Sequence, residues 1–168
     1  MADVIPTLVR LLHVFFGVVW VGGSVFFGHS VVGGLRKQPP QVMGPAMMAI
    51  QGKMFTLFLV AGPATVAFGV WNQYLMAGTV SYQGGAWNMI LGAALVLSLA
   101  AIGVAVGNNL PAFRRMKAAF AASGGRPTAE IEGLRKRVMA GGIVMTALVV
   151  LALVLMVLAV LRGPTRVA

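Results

Sequence analysis

Apolar residues run through this chain in long blocks that alternate neither with period two nor with the narrow stripe of a surface helix. Residues 11 to 35 carry no Asp, Glu, Lys or Arg, and neither do residues 54 to 113 or 138 to 161. One helical crossing of a bilayer takes roughly 20 mostly apolar residues, so the outer blocks predict one span each and the middle block two. The middle block divides at Gly78 to Gly85, where Thr79, Ser81, Tyr82 and Gln83 stand among glycines, the signature of a hairpin turn. The pattern predicts an all-α membrane protein, a single-domain bundle of four transmembrane helices near residues 8–33, 54–76, 87–109 and 138–161. Backbone groups in lipid must satisfy one another, which makes helices the only reading for segments of this length.

The connections carry the charge. Arg36, Lys37 and Lys53 lie in the first, and Arg114, Arg115, Lys117, Arg126, Arg135, Lys136 and Arg137 in the third, whereas the second has no Lys or Arg. By the positive-inside rule the first and third connections are cytoplasmic and both termini face outward. A mean hydropathy of +0.91 removes the soluble classes. The net charge of +10 is then explained by topology and anionic lipid headgroups, and no nucleic-acid partner is expected. The first span has Asp3 ahead of Arg10 and a core too long for a secretion signal, so it is read as retained.

Pro39, Pro40 and Pro45 predict that the first connection begins as an irregular loop. Met43, Met47, Met48 and Met54 then follow with the spacing of an amphipathic helix leading into span two. Thioethers are soft donors that suit copper(I), although flexible apolar packing is the ordinary use of methionine. After Asn108-Asn109-Leu110-Pro111, a short basic helix places Phe113, Met116 and Phe120 on one face, the pattern of a helix resting among headgroups. Ser123 to Pro127 breaks it, and Glu130 and Glu132 ahead of Arg135, Lys136 and Arg137 match the dipole of a new helix. Small residues recur in the last three spans (Gly62, Ala64 and Gly69; Gly92, Gly103 and Gly107; Gly141 and Gly142) and predict close helix contacts.

Candidate chemistry is sparse. Cysteine is absent, which excludes disulfides, thiolate metal sites and covalent haem attachment. No span holds a carboxylate of the kind that proton-coupled transport uses. Two histidines remain. His13 lies about two turns inside span one, and its helix face continues through Gly17, Trp20, Ser24 and Gly28, a stripe that admits a planar group or another helix. His29 lies 16 residues on, roughly 24 Å along the axis, so the two cannot clamp one haem. It belongs to the cytoplasmic interface, where it is a weaker candidate for a second haem or a metal.

Leu11-Leu12-His13, followed by Trp20-Val21-Gly22-Gly23, resembles the first helix of small bacterial membrane proteins grouped around copper-resistance protein D (CopD) and the HemJ-type protoporphyrinogen oxidases. Phe68-Gly69-Val70-Trp71 looks like the Thr-Gly-Leu-Trp ending of their second helix. Asn108-Asn109-Leu110-Pro111, with the arginines that follow, looks like the close of their third, and Arg135-Lys136-Arg137 like the approach to their last. The resemblance implies a four-helix bundle in the bacterial plasma (inner) membrane, linked to haem b or copper, with the family histidine at His13. The Lys that HemJ-like and many CopD-like proteins carry in the third helix is missing, since Ala94 or a neighbour stands there, and the reading leans away from an enzyme. The expected function is a haem b protein passing electrons in the membrane, alone or as a subunit of a redox complex. The alternatives are CopD-like copper handling and a cofactor-free accessory subunit of a respiratory or photosynthetic complex. If His13 binds haem iron, the expected surroundings are Gly17 and Trp20 on its own face, Arg10 pairing with a propionate, and a sixth ligand from Asn88 or Met89 or from His13 of a second protomer. Membrane lipid and either a homo-oligomer or a larger membrane complex are the expected partners.

Overall fold

In a computed structural model of the protein, residues 4–77 and 86–162 are described, and they are helical almost throughout, with no strand among them. The turn expected over Gly78 to Gly85 lies outside the described residues, as do Asp3 and Arg166. Helix α1 (Val4–Phe26) passes through a π-helical segment (Phe27–Val31) into a last turn, α2 (Val32–Leu35). Helix α3 covers Pro40–Ala77. Helix α4 (Ala86–Val104) continues through a second π-helical segment (Ala105–Asn109) into α5 (Leu110–Ala122), and α6 runs over Ala129–Arg162. Four helical paths of 32 to 36 residues are long and apolar enough to cross a membrane. At 1.5 Å per residue each is longer than the roughly 30 Å hydrocarbon layer requires, so their ends extend past it.

Local chemistry accounts for the breaks. The chain turns at Arg36–Pro39, where the Pro39 carbonyl accepts from the Val42 and Met43 N–H groups, both at 2.9 Å, and Pro40 opens α3 as a first-turn proline. The irregular connection expected beyond Pro40 is therefore helix, and the four methionines ride on the extended start of α3. Helix α5 closes with Gly124 and Gly125 at φ 61° and 81°. There the Gly125 N–H reaches back to the Phe120 carbonyl at 2.9 Å. Thr128 caps α6 by accepting the Ile131 N–H at 3.3 Å. Arg135 makes a two-pronged bond to Glu132 one turn before it, at 2.6 and 2.8 Å.

The helices associate as two antiparallel pairs, α1 with α3 and α4 with α6, and the contacts between the pairs are far fewer. Trp20, Phe58, Ala61, Ala101, Ala105, Met145 and Val149 form the central core. A second core at the basic end joins Phe113 and Met116 of α5 to Ile131 and Val138 of α6. The apolar face of α5, expected to rest among headgroups, is instead buried by protein.

Glycine contacts are selective. A Cβ at Gly62 would lie 3.0 Å from the Trp20 ring, and one at Gly141 would run into the Asn109 side chain. Gly92, Gly103, Gly107 and Gly142 have open space where a Cβ would stand, so these four do not mark the contacts expected of them. At the Gly141 crossing, Arg137 Nε donates to Asn108 Oδ1 at 2.7 Å and Asn108 Nδ2 donates to Asn109 Oδ1 at 2.9 Å, tying the end of span three to the start of span four. Overpacking a crossing of this kind costs about 1–3 kcal/mol. Gly141→Ala should accordingly lower the thermal midpoint in detergent by several degrees, with Gly103→Ala unchanged as its control, as measured by circular dichroism.

Candidate functional site

Two regions at opposite ends of the bundle hold the chemistry. The first is centred on His13 in the α1–α3 seam. His13 Nδ1 lies 2.8 Å from the Thr65 main-chain oxygen, which can only accept, so Nδ1 carries the proton. In the neutral ring Nε2 then keeps its lone pair, and it makes no hydrogen bond among the described residues. A Cβ at position 69 would stand 2.8 Å from His13 Cε1, so the imidazole rests on the backbone of Gly69. The ring is half-buried and flanked along the seam by stacked aromatics. Phe16 lies over Phe68 with centroids 5.8 Å apart, and Phe68 over Trp71 at 6.3 Å.

Of the two uses open to the His13 stripe, the structure takes contact with another helix. Gly17 faces the Thr65 methyl group at 3.6 Å, and Trp20, 3% exposed, covers Gly62. Ser24 is buried and turns its hydroxyl back to the Trp20 carbonyl at 2.7 Å. Arg10 is exposed one turn before His13. Asn88 and Met89 begin α4, which has no substantial interface with α1, and Met89 is 71% exposed. The structure therefore does not bring either residue to His13 within one chain.

The second region is a cavity of about 640 Å³ between the two helix pairs, at the end where the basic residues lie. Seven of the eleven methionines face it: Met43, Met47, Met48 and Met54 from α3, Met116 from α5, and Met139 and Met145 from α6. His29 comes from the first π-helical segment and Asn109 from the second, so both irregular turns line the same space. Arg36 and Arg135 stand at its mouth, shared with a smaller recess that also touches Gln38, Met43 and Met139. Among the described residues no group of three or more His, Cys, Asp or Glu converges as a metal site.

Sequence reasoning missed Gln51, Asn109 and the cavity itself. A methionine on α3 and another on α6 are some 90 residues apart in the chain, and only the fold makes them neighbours. The signal that was legible was the methionine spacing at the start of α3. No protein-family description, curated protein or solved structure matches the chain.

The geometry predicts that Gly69→Ala displaces the imidazole. In ¹⁵N spectra of histidine-labelled protein, His13 should show the Nδ1-protonated tautomer in the wild type and lose that signature in the variant, while the His29 resonances stay in place.

Proposed function

We propose that the chain is a haem b-binding protein of a bacterial plasma membrane that passes electrons within the bilayer, alone or as a subunit of a larger redox complex. In this reading the termini face outward and the basic connections lie in the cytoplasm. The observation that carries it is the state of His13. Its ring is fixed by the bond from Nδ1 to the Thr65 carbonyl and by its seat on Gly69, which leaves Nε2 as a donor atom. An imidazole held in one tautomer by a carbonyl behind it is the usual arrangement of a metal-ligating histidine, and the carbonyl raises its basicity. A bound haem would supply one-electron redox chemistry at its iron.

The donor chemistry fits haem on one side only. His13 would supply one ligand to the iron, Gly69 keeps the space the imidazole needs, and Arg10, one helical turn before His13, would be the residue to pair with a propionate. Asn88 and Met89 belong to the other helix pair. A second protein ligand, where there is one, would therefore come from His13 of another copy of the chain. That case makes the protein a dimer about a two-fold axis.

Copper handling, the second reading, is favoured by one observation, the gathering of seven methionines and His29 around a single space. Thioether and imidazole donors suit copper(I), but an ion needs donors that converge on a point. Here they line a space of molecular size. The accessory-subunit reading would make His13 a hydrogen-bonding partner and nothing more.

Absorption spectra of the detergent-purified protein, oxidised and dithionite-reduced, test the proposal. The expected result is a Soret band that sharpens on reduction, disappears in His13→Ala and persists in His29→Ala. Protein that stays colourless when expressed with ample haem would overturn it, and copper bound in proportion to protein by metal analysis would then favour the second reading.

A further inference from the structure

We infer that the cavity between the helix pairs is a binding slot for the acyl chain of an anionic lipid, with the head group at Arg36. The inference rests on the four-span reading but is independent of any cofactor at His13.

Shape comes first. The α6 residues that line the cavity run from Ile131 to Val150, about 28 Å along the helix axis. A volume of about 640 Å³ bordered over that length by one helix suits a flexible chain. The wall is chiefly methionine, phenylalanine and valine, and thioether side chains adapt to a chain that bends.

The polar groups are few and placed at intervals. At the mouth, the Arg36 guanidinium meets only Met139 Sδ among the described residues, at 3.7 Å, so its charge has no carboxylate partner there. Arg135 beside it is already engaged by Glu132. A phosphate or carboxylate at the mouth would therefore be held by Arg36, and Glu132 sets a limit on how much negative charge the site accepts. Deeper in stands Gln51, eight residues beyond Met43 on α3 and so about 12 Å further along the axis. It is 8% exposed, it lines the cavity, and its side chain makes no hydrogen bond among the described residues. Its amide opens onto the cavity and can pair with a ligand that brings a carbonyl or hydroxyl to that depth. Charge at the mouth, a few scattered polar side chains below it (Ser24, His29, Gln51, Asn109 and Thr146) and an otherwise apolar wall describe an acyl lipid.

Two sources share this chemistry, a membrane phospholipid that threads one of its chains into the slot and a free fatty acid. Native mass spectrometry of the full chain in detergent, with phosphatidylglycerol, phosphatidylcholine or oleate added, separates them. The expected result is a one-to-one adduct with phosphatidylglycerol or with oleate, and the one retained identifies the source. Phosphatidylcholine should be retained about tenfold less, the scale of one charge-assisted contact. Arg36→Gln should weaken the adduct by a similar factor. Gly142→Leu should abolish it, because this substitution fills the slot from a position where a Cβ meets nothing within 4 Å. Helix content by circular dichroism confirms that both variants fold. Equal retention of phosphatidylcholine, or adducts that survive Gly142→Leu unchanged, would overturn the inference, as would the absence of any adduct.

Discussion

Helices in a bilayer gain little from hiding apolar surface from one another, since lipid is as apolar as leucine, and their association depends on how closely the backbones approach. In this chain that constraint decides the architecture. α1 meets α3 where Trp20 lies on Gly62 and His13 on Gly69, and the π-helical segment after α4 meets α6 where the Asn108–Asn109 pair lies on Gly141. Both crossings are glycine-dependent and both fall within a helix pair. The two pairs share a central core around Phe58, Ala101 and Met145, and among the described residues the glycine contacts between them are looser, Gly44 and Gly52 of α3 meeting the Phe120 and Phe113 rings at 3.7 Å. At the basic end Met48 and Phe55 of α3 pack on the α5 core, and the methionine-walled cavity occupies the space left beside them.

The two π-helical segments shape that space. A π turn inserts one residue relative to an α-helix, which rotates everything after it by about 100° around the axis. In the first path this comes at Phe27–Val31 and turns His29 toward the cavity. In the second it comes at Ala105–Asn109, so that the apolar stripe of α5 does not simply continue the stripe of α4. After the offset Phe113 and Met116 are buried against Ile131 and Val138, and the basic residues Arg114, Arg115 and Lys117 stay exposed. Asn109, at the end of that segment, is 2% exposed, and its side-chain oxygen is held by Asn108.

Much of this architecture was legible in the sequence because it follows from composition along the chain. Charge-free blocks set the number of spans, Ser123 to Pro127 marked the break before α6, and Glu132 ahead of Arg135 marked its first turns. The π segments were not legible, since nothing in Phe27–Val31 or Ala105–Asn109 distinguishes one extra residue per turn from ordinary helix. The start of α3 is hidden in the sequence because clustered prolines point to a loop, whereas Pro40 occupies a first turn that has no N–H bond to lose. For His13 the helical spacing defines a face that suits either a planar group or another helix. Choosing between them needed the partner helix, because Thr65 and Gly69 are more than 50 residues away in sequence. The cavity is a property of the gap between two pairs, and no local pattern encodes a gap.

The His13 site and the cavity also differ in what holds them, and this keeps them separable. At His13 the feature is one donor atom, fixed by a main-chain oxygen and a glycine, and it fails if the seam shifts by a fraction of an ångström. At the basic end the feature is a volume with mobile thioether walls, which tolerates such shifts. Between them lie the Trp20–Gly62 contact and the Ser24 hydroxyl bonded to the Trp20 carbonyl, a buried stretch of the α1–α3 seam. Sites this far apart, without shared partners, respond to substitution almost independently. The rigid middle of the seam lets one small bundle keep a precisely held imidazole at one end and an adaptable slot at the other.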